Sequence, residues 1–194
     1  MTRLCVFCGS SVGARPAYAA AARELAAELI RRGLGVVYGG GGIGLMGVLA
    51  DAMLERGGEV IGVIPRPLAS KELAHRALTE MRVVETMHER KALMASLADG
   101  FVAMPGGLGT FEETLEILTW AQLGIHRKPV GLLNVSGYYD GLLAMIGHAL
   151  DEGFVPLAYR ALSVSAPTPA GLLDLMDAWR PPDFPGRWLS LSQA

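Results

Sequence analysis

Along the chain, short runs of consecutive apolar residues alternate with longer stretches whose apolar positions recur at helical spacing. The apolar runs are RLCVFCG, GVVYGG, EVIGVIP, MRVVE, GFVAMPGG, KPVGLLNV and ALSVSA. Between them the periodicity predicts helices from Pro16 to Arg32, over GLMGVLADAMLERGG, over TMHERKALMASLAD and from Thr110 to about Leu123. Two more are expected around Tyr138 to Glu152 and around Ala170 to Ala178. The first has Pro in its opening turn and Gly33 just past its end, the usual asymmetry of helix termini. Near-continuous apolar strands separated by helices indicate a parallel sheet covered on both faces.

The expected fold is therefore α/β: a Rossmann-like, doubly wound parallel sheet with helices on both faces, forming a single domain over residues 1–180. The remaining residues, 181–194, read as a Pro-rich tail extended over the surface. In such sheets ligands bind at the carboxyl ends of the strands, beside a reversal of strand order. The composition agrees, because 194 residues with 51% hydrophobic content suffice for one sizeable core. A formal charge of −2 provides no basic stripe for nucleic acid and no polybasic membrane patch. No apolar run approaches the roughly 18 to 20 residues of a bilayer span. The opening MTRLCVFCGSSVG is too short in apolar length for a signal-peptide core, so a cytoplasmic protein is expected.

Cys5 and Cys8 form a C-x-x-C inside a strand pattern, where residues three apart point to opposite faces. They read as structural thiols rather than a redox pair, which needs a helix N-terminus. His75, His88, His126 and His148 lack the spacing of a metal site. Neither a metal nor a cofactor is expected.

Two glycine corners, YGGGGIGLMG and PGGLGT, each follow a strand and open a helix. Glycines there let backbone amides approach an anion, and a helix N-terminus adds a favourable partial charge. The first corner matches G-x-G-x-x-G, but no acidic residue closes the next strand, since Glu59 opens it. No G-x-x-x-x-G-K-[ST] is present. Two such corners in one small sheet favour a phosphorylated ligand, with plain tight turns as the alternative.

Two charges interrupt apolar helix faces. Arg90 falls on the stripe of Met87, Met94 and Leu97, and must meet an anion or reach solvent along its stem. Glu113 shares a face with Ile117 and Trp120, whereas Glu112 lies over Glu116 and Thr119. Thr86 with Glu89, and Thr110 with Glu113, both fit the T-x-x-E capping box, so Glu113 reads either as a cap or as a site carboxylate. The helix holding it is apolar nearly all round, at Phe111, Leu115, Ile117, Leu118, Trp120, Ala121 and Leu123. That surplus predicts a twofold homodimer.

At these residues the sequence resembles the LOG ("Lonely Guy") family of cytokinin riboside 5′-monophosphate phosphoribohydrolases, formerly labelled possible lysine decarboxylases. Pro105, Gly106, Gly107, Gly109, Thr110 and Glu113 match its P-G-G-x-G-T-x-x-E signature. MHERK matches its M-x-x-R-K element, and the likeness runs from about Arg3 to Tyr159. The resemblance implies hydrolysis of the N-glycosidic bond of adenosine 5′-monophosphates modified on the exocyclic amine, yielding free base and ribose 5-phosphate. It implies Arg90 and Glu113 as the catalytic pair. Substrate contacts would come from Glu72, Lys91, Gly107, Leu108, Gly109, Thr110, Phe111, Glu112 and Thr119, with Gly40, Gly41, Gly42 and Gly44 of the first corner. Gly42 stands where many relatives carry Ser or Thr. It also implies an active site near a subunit interface. The alternative is a non-catalytic nucleotide or molybdenum-cofactor carrier of the same fold.

Overall fold

The structure is a computed structural model that describes residues 1–69 and 74–182. The chain runs β1 (Arg3–Phe7), α1 (Pro16–Arg31), β2 (Gly35–Tyr38), α2 (Gly44–Leu54), β3 (Val60–Pro65), α3 (Arg66–Ala69) and β4 (Glu80–Val84). It continues through α4 (Met87–Leu97), β5 (Gly100–Ala103), α5 (Leu108–Gln122), β6 (Val130–Leu133), α6 (Asp140–Asp151), β7 (Ser163–Ala166) and α7 (Pro169–Ala178). Among the described residues the strands form one seven-stranded sheet in the order β4-β3-β2-β1-β5-β6-β7. Every neighbouring pair is parallel. The chain winds outward from β1 in one direction, returns, and winds outward from β5 in the other. The reversal thus lies between β1 and β5.

Alternation along the strands divides the core in two. Leu4, Val6, Val36, Tyr38, Val102 and Met104 face α1, α2 and α7. Cys5, Phe7, Val37, Ile61, Val63 and Phe101 face α4 and α5. The two cysteines accordingly sit in different cores, and both are buried and free. Burial pushes both thiols well above the ordinary range, which makes them inert. His126 is buried as well. One ring nitrogen lies 2.9 Å from the Ile117 carbonyl, and burial pulls its imidazole down to about 4.

One boundary departs from expectation in a way that matters. Helix α5 opens at Leu108, after an extended Gly107, and not at Thr110. Gly107 and Gly109 are poor helix formers and hide the start from a propensity reading. Glu113 therefore lies in the second turn, beyond the N3 position of a capping box, and the cap reading falls. The other T-x-x-E holds: the Thr86 hydroxyl accepts from the Glu89 amide at 3.1 Å. Glu89 returns to the amide of Glu85 at 2.8 Å, one residue earlier than the usual box.

The loop after β6 buttresses the second glycine corner. Ser136 takes a left-handed turn (φ 53°) that brings two tyrosines against the end of β5. The Tyr139 hydroxyl donates to the Met104 carbonyl at 2.6 Å, and that of Tyr138 donates to the Gly106 carbonyl. Asn134 fixes the loop by accepting from the Tyr139 amide at 2.6 Å. Tyr139 is fully buried. Tyr139→Phe leaves the Met104 carbonyl without this donor, and a loss of about 1–3 kcal/mol is expected in urea unfolding.

Candidate active site

A cavity of about 350 Å³ opens at the carboxyl ends of the strands flanking the reversal, within the range of small-molecule sites. One wall is apolar: Ile43, Met46, Ile64, Leu68 and Met94. Among the described residues two charged side chains line it, Arg90 from the first turn of α4 and Glu113 from α5. Their Nη1 and Oε1 atoms lie 3.0 Å apart. Arg90 Nε also donates to the Val63 carbonyl at 3.2 Å, tying the guanidinium to β3. Room for it exists because residue 39 is glycine: a Cβ there would fall on Arg90 Nη2.

Glu113 is only 9% exposed. Burial raises its proton affinity above the ordinary carboxylate range, against the opposing pull of Arg90. A carboxylate so placed is suited to face a developing positive charge or to take a proton from water.

The start of α5 is suited to an anion. Its N-cap, Gly107, makes no side-chain cap. The amides of Leu108, Gly109 and Thr110 have no helical carbonyl to bond, and these residues line the cavity. Free amides and the helix dipole together form a ready phosphate seat. Gly106 is pressed against Thr110 and the backbone of Gly9, so the turn is held tightly at the reversal.

The first glycine corner works differently from expectation. The amides of Leu45 and Met46, which open α2, both point to the Gly9 carbonyl at 3.0 and 3.4 Å. They are therefore occupied within the protein. Gly44 has φ +62° and packs so closely on the Ser10 and Ser11 backbone that no side chain fits. Gly40 accepts from the His75 amide at 2.9 Å, and Gly42 lies against the His75 backbone. Of the glycines of this corner, Gly39 and Gly41 line the cavity and Gly40, Gly42, Gly44 and Gly47 do not. It seats Arg90 and the β1 loop rather than forming an amide cradle.

Arg90, Glu113, Gly107, Leu108, Gly109, Thr110 and Gly41 thus come together at one cavity. Gly40, Gly42 and Gly44 stand behind it. Phe111 stacks on Tyr138 at 6.1 Å and belongs to the buttress. Glu112 is exposed and holds Lys91, and neither lines the cavity. Thr119 is exposed, its hydroxyl donating to the Leu115 carbonyl at 2.8 Å. Glu72 lies outside the described residues. The sequence reading missed Cys8 and Ser10 in the wall, and Gly39 as the slot for Arg90. CGSS directly follows the strand that proves central, so its position was the available signal. Ser10 and Gly107 also border a second chamber of about 290 Å³ that holds Ser11, Tyr18 and Tyr138.

A helix start with free amides beside an Arg–Glu pair, at the switch point of a doubly wound sheet, is the arrangement of a small-molecule site suited to an anionic ligand. Comparison with known proteins narrows the class. The family model described as "Possible lysine decarboxylase" matches residues 46–176. Two cytokinin riboside 5′-monophosphate phosphoribohydrolases of Arabidopsis thaliana are 52% and 54% identical to it. Each match covers 92% of this chain, and 84% and 78% of the respective relatives. A probable enzyme of the same name from Oryza sativa subsp. japonica is 53% identical over 92% of this chain and 85% of its own. The chain belongs to this family. Among solved structures, a molybdenum cofactor carrier protein from Chlamydomonas reinhardtii superposes with TM-score 0.70 at 23% identity, over 92% of this chain and 97% of that one. A molybdenum cofactor binding protein from Rippkaea orientalis gives 0.69 at 21%, over 91% and 96%. At that identity the likeness speaks for the fold alone.

Gly39→Ala adds one methyl group without backbone strain and evicts the Arg90 guanidinium. The variant should fold, as read by circular dichroism, yet lose on the order of a hundredfold in turnover.

Proposed function

We propose that the chain hydrolyses the N-glycosidic bond of adenosine 5′-monophosphates carrying an apolar group on the exocyclic amine, releasing the free base and ribose 5-phosphate. The observation that carries this reading is the buried Arg90–Glu113 pair, 3.0 Å apart, one helical turn from the free amides of α5. Amides of Leu108, Gly109 and Thr110 hold the 5′-phosphate, using remote binding energy to position the sugar. Cleavage of the C1′–N9 bond sends its electron pair to the base and leaves positive charge on the ribose. The Glu113 carboxylate faces that charge and orients the water whose oxygen bonds C1′, while the base leaves protonated. Arg90 fixes the carboxylate. The apolar wall of Ile43, Ile64 and Leu68 supports a base with an apolar substituent.

Decarboxylation of lysine does not fit these residues. Pyridoxal-phosphate chemistry requires a Schiff-base lysine in the site, and no lysine among the described residues lines the cavity, Lys71 lying outside them. Lys128 is tied to the Ala95 and Ala98 carbonyls at 2.7 and 2.6 Å, and Lys91 to two glutamates. No helix among the described residues is long and apolar enough to cross a membrane.

The reading includes a homodimer. Leu115 is exposed on α5, with Leu118 and Leu123 half-buried beside it. Sedimentation should give a dimer that persists at tens of micromolar, and a monomer there removes this part of the reading. The apparent dissociation constant should be tighter than about 100 µM, on a scale where 1 mM is near 4 kcal/mol.

Glu113→Gln should lower base release from isopentenyl-AMP by about a hundredfold or more while AMP still binds. Wild-type activity should fall as pH drops through the raised value of Glu113, on an acid limb above the ordinary glutamate range of about 4.3. That limb should vanish in the Gln variant. The linkage has the opposite consequence for stability: a raised carboxyl favours the folded state below its unfolded value and loses this as pH rises through the folded one. The melting temperature of the Gln variant should therefore gain on the wild type across that window. Unchanged turnover in Glu113→Gln would refute the assignment.

A further inference from the structure

Arg90 and Glu113 form the inner rung between two helices. A second rung lies just outside it. Lys91, the next residue on α4, places Nζ 2.7 Å from Glu112 and 2.8 Å from Glu116 of α5. Its side chain is only 10% exposed, as is fitting for an ammonium enclosed by two carboxylates. Burial alone would lower the Lys91 ammonium, but the two glutamates overcome this and hold it above the ordinary lysine range. The remaining oxygen of Glu116 is buried without a partner among the described residues, so Lys91 is the cation that keeps this carboxylate tolerable. None of the three lines the cavity.

We propose that Lys91 is a positioning residue and not a substrate ligand: clamped between Glu112 and Glu116, it locks α4 to α5 and thereby sets the register of Arg90 against Glu113. This rests on the hydrolase reading above and departs from the substrate contact that the resemblance implies for Lys91. The sequence logic is compact. Adjacent basic residues on one helix meet adjacent acidic residues on the other, so a single slip would misalign both rungs. A long surface lysine would pay rotamer entropy for one weak bond, whereas this one is enclosed and doubly bonded. Among the described residues, the charged and titratable groups around Glu113 are Arg90 and Lys91 on α4, Glu112 and Glu116 on its own helix, and the Cys5 and Cys8 thiols on and just after β1. Lys91 draws Glu113 toward ionisation and Glu112 opposes it.

Removing the two outer-rung charges should therefore move Glu113 in opposite directions. Lys91→Met should shift the Glu113 carboxyl titration, followed by carbon-13 NMR, to higher pH, and Glu112→Gln should shift it to lower pH. In Lys91→Met kcat should fall by roughly tenfold to a hundredfold, with KM for AMP and the preference for AMP over adenosine as ligands within about twofold. Lys91→Arg should restore most of the rate. Should Lys91→Met fold poorly, Lys91→Met with Glu116→Gln removes the orphaned carboxylate and carries the same expectations. A rise of about tenfold or more in KM, with the AMP preference lost, would make Lys91 a phosphate ligand and overturn the proposal. Shifts of the same sign in the two variants would overturn it too. If the wild type releases no base, yet the titrations part as stated and the preference for AMP over adenosine holds in Lys91→Met, the hydrolase reading falls and the clamp stands.

Discussion

A buried guanidinium–carboxylate pair is the constraint around which this molecule is arranged. Burying two charges is expensive, and an ion pair offsets that only when its geometry is good and its other hydrogen bonds are made. Arg90 meets both conditions through Glu113 and the Val63 carbonyl. The surroundings follow from holding that contact. Residue 39 must be glycine to leave room for Nη2. Helix α4 starts at a capped Thr86, which fixes the azimuth of Arg90 one turn later. Breaking such a pair typically costs about 3–5 kcal/mol, so the pair serves the fold whatever else it does.

The two glycine corners illustrate how one sequence pattern serves two physical ends. Both follow a strand and both open a helix. In α5 the amides stay free, and the turn is supported from behind by tyrosine hydroxyls bonded to the carbonyls of Met104 and Gly106. In α2 the amides are taken by the Gly9 carbonyl, and the glycines allow backbones to touch. Position in the sheet explains the difference. The β5 corner sits at the reversal, where neighbouring connections diverge and leave a crevice. The β2 corner has α1 packed against its helix and a neighbouring loop over its turn, so its donors are enclosed.

Legibility in the sequence followed range. The alternation of elements, the parallel sheet and its two-sided burial were readable, because each depends on apolar period within one segment. The anomaly of Arg90 and Glu113 was readable for the same reason: a charge on an apolar stripe is a local contradiction. That the two charges meet was not readable from periodicity, since twenty-odd residues and a strand separate them. Nor was the role of Gly39, which exists for a side chain from another helix. The start of α5 was misplaced because Gly107 and Gly109, at its first turn, weaken a helix reading. The pair of serines after β1 went unnoticed because strand order, and hence the central place of β1, is a tertiary fact.

Glu113 shows why such a site resists being optimised for stability. Its burial lifts the carboxyl above the ordinary range, because the ionised form bears a desolvation cost. Arg90 opposes that cost without cancelling it. A better-solvated glutamate would cost less to ionise, but water would screen its field. A glutamate with a second close cation would be fully ionised but already satisfied, with less of its charge left for the transition state. The arrangement found lies between these extremes: one direct cation, a more distant one at Lys91, and an opposing charge at Glu112 that keeps the balance from tipping. Catalytic charge in a dry cleft has to remain partly unmet until the reaction supplies its partner.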